Sequence, residues 1–548
     1  MLPLIRLRRG IYCAGYHSIF RDAFSHIPAR LLNRFPNFND LILSNMITPL
    51  SDEVLNRRSS PIDMDASAFR QAGHVLVDQI AAFLSAMPEG KVTPAPLPSE
   101  LKAKLPAQLP GTGAETHALL KETWELLTQN SLFNGHPRFW GYITSSPSPI
   151  GMLADLMASA INSNCGAFVL SPMATEIEKQ TVNWLGQLIG YPTGDGIVVS
   201  GGNMANLVGF LAARKAKAKW DIRQNGLGPR CGKWRIYASA ETHTWISKAA
   251  DLFGMGLDAI RWVPVDEHQR IDTKILEEKI AEDKKNDFVP FIIVGTAGAV
   301  GTGVVDDLHT LASISQKEDC WFHIDGAYGG FAAAIPELKE MFKGFELADS
   351  VAIDPHKWLY SPLEAGCTLV KDPHTLVDAF SFHPVYYNFE GEEEPQTNFY
   401  ERGMQNSRGF RALKVWLSLR HIGFDAHIQL IREDIELAKR LFEILQKQNE
   451  IEVFTQHLSI TTFRYVPLNG KRDPEFLNEL NQTLLNKLQS GGEVFLSNAV
   501  INGNFLLRVC IVNFRTTLRD IQALANIVVR EGRIVEKELS TTQGFIRI

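Results

Sequence analysis

Four kinds of residue stand where short apolar runs of this chain end, and each suits a particular piece of chemistry. In Asp354-Pro-His-Lys-Trp358 the run Val351 to Ile353 stops at Pro355 and presents His356 and Lys357 beside Trp358. An amine set between an imidazole and an indole is poorly hydrated. Desolvation disfavours the ammonium, and the neutral amine is a nucleophile that can form a Schiff base with a carbonyl cofactor. A surface lysine next to a core tryptophan would carry the same five letters, so the reading depends on the other residues. After the run Trp321 to Ile324 comes Asp325, in His323-Ile-Asp-Gly-Ala-Tyr-Gly-Gly330. A carboxylate at a buried strand end needs a cation or an N–H partner, and a protonated pyridine nitrogen would be one. After Ile197 to Val199 comes Ser200-Gly-Gly-Asn203. A glycine turn that opens a helix gathers free backbone N–H groups at the positive end of the helix dipole, which suits a phosphate. His243 closes Ser239-Ala-Glu-Thr-His243 after a fourth run; alone, a histidine there is more often structural.

The elements that must position these residues follow from the spacing of the runs. Apolar, β-branched and aromatic stretches fall at 197–199, 234–238, 259–265, 291–294, 321–324, 351–353 and 367–370, with helical or loop segments between them. Strands separated by crossover lengths predict an α/β fold with a mostly parallel sheet and helices on both faces. Ligands in such folds bind beyond the carboxyl ends of the strands, which is where the candidate residues stand. A helix is expected from Leu207 to Ala218 behind the glycine turn, and Gly295-Thr-Ala-Gly-Ala-Val-Gly-Thr-Gly303 is a second candidate loop for a phosphate or a ring edge.

Ahead of the sheet, Ala66 to Leu84 and Leu119 to Leu127 carry helical periodicity, with Asp65 a possible N-cap and a proline-rich connector, Lys91 to Pro98, between them. Gly151 to Ile161 is helical, and Ser171-Pro172 opens another helix that runs to Leu188. His136-Pro-Arg-Phe-Trp-Gly-Tyr-Ile-Thr-Ser-Ser-Pro147 mixes aromatics and hydroxyls; it lines an apolar pocket or belongs to plain core.

Composition narrows the class. A chain of 548 residues with 45% hydrophobic and 21% charged residues reads as a globular protein of more than one domain. A net charge of −6 speaks against nucleic-acid or membrane-surface binding driven by bulk charge. No apolar run is long enough to span a membrane. Six scattered cysteines (13, 165, 231, 320, 367 and 510) form no CxxC, so neither zinc nor a disulfide framework is expected and a reducing, cytoplasmic setting is. Against that, Arg6, Arg8, Arg9, Arg21, Arg30 and Arg34 give the first sixty residues the composition of an organellar transit peptide. A partner-binding extension, or a start at Met46 or Met64, would account for it as well.

A phosphate turn, a histidine, a strand-end aspartate and a strand-end lysine, in that order on successive strands, are what pyridoxal 5'-phosphate requires. At this point His323–Gly330 and Asp354–Trp358 resemble the motifs of the group II pyridoxal-phosphate amino-acid decarboxylases, a family that includes aromatic-L-amino-acid, histidine and glutamate decarboxylases. The resemblance runs from about Met64 to the C-terminus. It implies the aspartate-aminotransferase fold (fold type I) with a seven-stranded sheet. The domains would be an N-terminal extension (1–63), a helical dimer clamp (64–145), a large cofactor domain (146–430) and a small C-terminal α/β domain (431–548). It also implies a homodimer whose sites form between subunits.

Residue by residue, the resemblance makes Lys357 the cofactor lysine, Asp325 the partner of the ring nitrogen, Ala327 the small residue under the ring and His243 the histidine over it. Gly202, Asn203 and Ser145 match phosphate contacts, and His356 the histidine beside the lysine. Arg508, in Leu507-Arg-Val-Cys-Ile-Val-Asn513, matches an arginine that binds a substrate carboxylate, with Tyr142 and Trp140 as further substrate contacts. A tyrosine on a loop returns a proton to the substrate in this family, and counting back from Arg408-Gly-Phe-Arg411 places it at Phe399 or Tyr400; we take Tyr400. Three departures stand out. Asp354 occupies a position where the family usually has Asn. A phenylalanine at the proton-donor position would favour oxidative deamination to an aldehyde. Asn164 and Gly166 make the side pocket more polar or more open. The expected reaction is decarboxylation of an L-amino acid, aromatic ahead of acidic, with an aldehyde synthase, another lyase of the fold or an inactive binding homologue as alternatives. Arg138 is the one basic residue in 136–147 that an acidic substrate could use.

Overall fold

The computed structural model describes residues 51–57, 60, 62–228, 232–382, 396–469 and 472–546. The arginine-rich N-terminus, Met46, Cys13, Cys231 and most of the acidic segment before Phe399 lie outside these residues. The chain divides into two compact units, 1–75 and 76–548. In the first, Ser51 caps a short helix (Asp52–Asn56). Asp65 Oδ1 accepts the N–H groups of Ser67 and Ala68 at 2.8 and 2.9 Å, and so opens helix α1 (Ala66–Ala86) as the sequence predicts.

The second unit continues with α2 (Thr116–Asn130), α3 (Pro149–Ile161) and α4 (Pro172–Ile189). Strands and helices then alternate: β1 (Asp195–Val199), α5 (Gly202–Lys217), β2 (Trp234–Ser239), α6 (Trp245–Leu252), β3 (Ile260–Val263), α7 (Thr273–Lys285), β4 (Val289–Thr296), α8 (Leu308–Lys317), β5 (Trp321–Asp325), β6 (Ser350–Ile353), the single turn α9 (Pro355–Trp358) and β7 (Gly366–Val370). The seven strands form one sheet in the order β1-β7-β6-β5-β4-β2-β3. β7 runs antiparallel to both its neighbours and every other pair is parallel. The central strands are buried on both faces, which is why they read as unbroken apolar runs. One face packs on Leu207, Phe210 and Ala213 of α5 with Trp245 and Ala249 of α6. The other packs on Val182 and Leu185 of α4 with Leu276 of α7 and Leu311 of α8. Asp272 and Asp307 cap α7 and α8 by accepting N–H groups of their first turns.

Helix α10 (Ala412–Gln446) links two cores: Val415 and Ile431 join that of the large sheet, and Ala438, Leu441 and Leu445 join a second. Around the second core lie β8 (Ile451–His457), β9 (Ile460–Tyr465), α11 (Pro474–Gly491), β10 (Ser497–Ile501), β11 (Asn504–Cys510) and α12 (Leu518–Ile546), with an antiparallel sheet ordered β10-β11-β9-β8. These elements form a small α/β layer at the C-terminal end of the second unit.

Two boundaries differ from the sequence reading. The run 259–265 yields only Ile260–Val263, because Leu257–Ala259 forms a 3₁₀ turn and Val265 pairs instead with Ile271 as a lone antiparallel bridge. Helix α5 begins at Gly202, not Leu207, because Gly201 at φ 140° supplies an N-cap conformation that side-chain-bearing residues rarely adopt. The glycine turn is therefore the first turn of the helix itself.

Candidate active site

The carboxyl ends of β1, β2, β4, β5 and β6 bring most of the expected residues together. Lys357 lies in α9, one turn after β6, and its Nζ is 3.3 Å from Asp354 Oδ2. His356 Nδ1 accepts the Ala365 N–H at 3.1 Å, and Nε2 lies 3.6 Å from the same Asp354 oxygen. Burial lowers the His356 pKa, so the ring is neutral near pH 7. Ser145 donates its hydroxyl to the His356 carbonyl at 2.7 Å. That bond ties the segment after α2 to the lysine turn.

The glycine turn closes on this group. A Cβ on Gly202 would come within 2.6 Å of Asp354 Oδ2 and 2.8 Å of Ala327 Cβ, and one on Gly201 within 3.0 Å of His356 Cε1. Only glycine lets α5 point its first N–H groups this close to the strand ends. Asn203 follows in the first turn and is exposed.

Asp325 ends β5 and is 7% exposed. Its Oδ2 accepts the Trp245 indole N–H at 2.8 Å and its Oδ1 the Ala327 N–H at 3.2 Å. Among the described residues no cation pairs with it, so a buried carboxylate rests on neutral donors alone. His243, after β2, has its Nδ1 3.3 Å from the Trp245 N–H. Its side chain is exposed in the site, yet enough protein surrounds the ring for desolvation to lower its pKa, against the opposing pull of Asp325.

Arg508 on β11 marks a second end of the site. It is 3% exposed. Its guanidinium donates to Ser497 Oγ at 2.6 and 3.0 Å, to the Tyr142 carbonyl at 3.0 Å and to the Val300 carbonyl. All these partners are neutral, and burial lowers its pKa. Val300 belongs to the loop after β4. The Glu241 carboxylate, two residues before His243, would meet a Cβ on the neighbouring Gly301 at 3.3 Å. That loop therefore joins the arginine to the histidine.

These residues fit pyridoxal phosphate on three structural grounds. The lone carboxylate of Asp325 suits a protonated ring nitrogen. The cradle at Gly201 and Gly202 leaves no room for a side chain. Buried polar atoms without hydrogen-bond partners cluster at these strand ends: Thr296 Oγ1 closing β4, Thr242 Oγ1 beside His243, Ser146 Oγ beside Ser145, and Asp354 Oδ1.

Three expectations fail. Trp140 is not a substrate contact: it is wholly buried in the second core, where its indole N–H donates to Thr516 Oγ1 at 3.2 Å. Segment 138–142 is captured by the small domain through Phe495 and Cys510, which directs that ring inward. Tyr142 keeps its place beside Arg508. Asn164 does not widen a pocket, because its Oδ1 accepts the N–H groups of Gly166 and Arg408 at 3.0 and 3.1 Å; Gly166 is glycine because the Asn406 carbonyl would lie 2.0 Å from a Cβ. Tyr400 does not join the Lys357 group of its own chain. It lines a cavity of about 620 Å³ with Arg214, Phe380 and Met404, while the preceding Phe399 ring lies 4.9 Å from the Arg408 guanidinium.

Sequence reasoning missed Trp245 as the holder of Asp325, although its place two residues after His243 was a signal. It also missed His323, whose ring bridges Asn206 Oδ1 of α5 at 2.7 Å and Ser350 Oγ of β6 at 2.8 Å; burial pushes its pKa down to about 4. It missed Asp434 of α10, which accepts from Trp358 Nε1 at 2.9 Å and the Tyr360 hydroxyl at 2.7 Å and so braces both sides of the lysine turn from behind.

A sheet of this order with a lysine, an aspartate and a glycine cradle at its strand ends defines a pyridoxal-phosphate enzyme of fold type I. The model of the pyridoxal-dependent decarboxylase conserved domain matches residues 98–466, and the chain belongs to that family of pyridoxal-phosphate-dependent amino-acid decarboxylases. It is 34% identical over 470 residues to an aromatic-L-amino-acid decarboxylase from Bacillus atrophaeus, covering 84% of this chain and 95% of the relative. The crystal structure of Oryza sativa TDC with PLP and tryptamine superposes with a TM-score of 0.81 at 25% identity, covering 87% of this chain and all of that one. Rhodiola rosea 4-hydroxyphenylacetaldehyde synthase superposes with a TM-score of 0.77 at 25% identity, covering 86% and 99%.

Proposed function

We propose that this decarboxylase acts on an aromatic L-amino acid and releases the amine and carbon dioxide. One observation carries the choice: the exposed Tyr142 ring lies 6.2 Å from Phe495, and the Tyr142 carbonyl is held by Arg508. A carboxylate anchor thus stands beside an aromatic wall. An acidic substrate would need a further cation, and Arg138 is already engaged with Asp520 at 3.0 Å. The names of the relatives point the same way.

Bound pyridoxal phosphate supplies the electron sink for the pair released from the Cα–carboxylate bond. The chain's own residues do the rest. Lys357 would provide the amine that holds the cofactor. Asp325, fixed by Trp245, would keep a proton on the ring nitrogen. His243 and Ala327 would flank the ring. Gly202 and Asn203 would offer N–H groups to the phosphate, and Ser145 and His356 would fix the turn beside it. Arg508 would orient the substrate carboxylate.

The proton-returning phenol defines a second reading. Among the described residues, Phe399 packs on Arg408 and Tyr400 lines its own cavity; Tyr386 and Tyr387 lie outside the described residues. A site without a phenol to return the proton would consume dioxygen and give aldehyde, carbon dioxide, ammonia and peroxide. An amino-acid panel with pyridoxal phosphate decides between the readings. Carbon dioxide and amine from tyrosine, tryptophan or phenylalanine are expected. Turnover of glutamate or aspartate alone, or aldehyde with peroxide, overturns the proposal.

A homodimer belongs to the same proposal. Leu156 and Ile161 of α3, and then Leu170 and Met173, are 56, 74, 60 and 72% exposed, an apolar run that suits burial by a second copy. Sedimentation showing monomers alone would refute it. Cytoplasmic placement is likewise proposed: the described cysteines 165, 320, 367 and 510 are all free and buried, as in a reducing setting. Among the described residues no helix is long and apolar enough to cross a membrane.

A further inference from the structure

We propose that Asp354 limits how tightly this chain holds the phosphate of its cofactor. The inference rests on the cofactor reading of the site and goes beyond it. Helix α5 is 16 residues long, and its first turn is stripped of side chains at Gly201 and Gly202. The first N–H groups of such a helix have no partner within it and favour an anion. Asp354 brings a carboxylate up beside this turn without accepting any of its N–H groups. It is 1% exposed. Its Oδ2 lies 2.6 Å from the position a Gly202 Cβ would take, and its Oδ1 3.9 Å from that of Gly201. Oδ1 has no hydrogen-bond partner.

The charges around this carboxylate are few. Lys357 Nζ stands 3.3 Å from Oδ2, and His356 Nε2 3.6 Å. Burial keeps the His356 ring neutral. Asp325 on β5 and Glu178 on α4 are the nearby acids of the packed elements: His243 senses Asp325 and Asp354 together, and Cys367 senses Glu178 and Asp354 together. Glu178 is spent on Arg408. A phosphate seated on α5 therefore shares one cation, Lys357, with a carboxylate. Like charges a few ångströms apart in a protein interior change a dissociation constant by about tenfold or more. An asparagine of the same shape removes the like charge. It also frees the Lys357 ammonium from its counter-ion, which acts in the same direction.

The test uses the full-length protein stripped of cofactor, and two ligands that lack the aldehyde, so that no bond to Lys357 forms. Pyridoxine 5'-phosphate and pyridoxine are titrated by calorimetry into the parent chain and into Asp354→Asn. The variant is expected to bind the phosphate ester at least about tenfold more tightly while its affinity for pyridoxine stays the same. Asp354→Ser, which removes the charge with less bulk, is expected to shift the same way. Equal or weaker binding of the ester by both variants, or an equal gain for both ligands, overturns the inference. If the parent chain binds the ester no better than pyridoxine, the phosphate cradle itself is wrong, and the inference falls with it.

Discussion

The brace behind the lysine makes a prediction with a defined sign. Asp434 is fully enclosed, and both Trp358 and Tyr360 donate to its Oδ2. Burial raises its pKa to about 7; Tyr360, Trp358 and the Asn513 N–H hold it down, and Glu433 pushes it further up. An aspartate in the unfolded chain titrates near about 3.9. Between these values the folded protein holds a proton that the unfolded chain has released, so stability is highest below about pH 4, falls as pH rises, and levels off above about pH 7. Three units correspond to roughly 4 kcal/mol, an upper figure that water penetration and relaxation reduce to about 1–3 kcal/mol. Asp434→Asn cannot titrate. Its amide oxygen can still accept from both donors, and its NH₂ is left without a buried partner, at a cost of about 1 kcal/mol. The variant is therefore expected to be less stable than the parent by about 0.5 kcal/mol or less at pH 5 and to equal or exceed it at pH 8. Urea unfolding followed by tryptophan fluorescence at pH 5, 6.5 and 8 measures the gap. A gap that stays constant across this range would refute the reasoning.

Two further outcomes follow from the site geometry. Trp245→Phe removes the 2.8 Å bond to Asp325 while keeping an aromatic ring. A hydrogen bond to a charged acceptor is worth about 1.5–3 kcal/mol, so kcat should fall roughly 10- to 150-fold; an unchanged kcat would show that Asp325 needs no such anchor. Arg508→Gln takes away a buried cation whose present partners are all neutral. The expected loss in kcat/KM is about 30- to 1000-fold, carried mainly by KM, and unchanged kinetics would remove Arg508 from substrate binding.

The fold was legible where one segment of sequence decided it. Each strand of the large sheet announced itself as an apolar run, and several of these runs lead directly into candidate site residues, as with Ile324 and Asp325 or Ile353 and the turn to Lys357. The candidate cofactor lysine could be singled out because its motif is contiguous in sequence. What sequence hid were partnerships between distant segments. Trp245 and Asp325 are 80 residues apart, Asn206 and His323 117, and Trp358 and Asp434 76. None of these donors differs in type from an ordinary core residue. The aromatic cluster 136–147 misled for a related reason. Its neighbours Trp140 and Tyr142 part company because Phe495 and Cys510, over 350 residues later, bond the backbone and turn one ring into the small-domain core while the other stays exposed. Helix α5 was dated five residues late because helix propensity discounts glycine, whereas Gly201 serves as the cap. Asn164 looked like a pocket residue and proved to be a backbone clamp.

The central claim is that Lys357 carries the cofactor. Borohydride treatment of the protein loaded with pyridoxal phosphate fixes a cofactor–lysine linkage as a stable secondary amine, and peptide mass spectrometry then locates it. The account predicts the added mass on Lys357 alone, and its loss together with the visible absorbance in Lys357→Ala. Cofactor mass on another lysine, or visible absorbance unchanged in that variant, would contradict it.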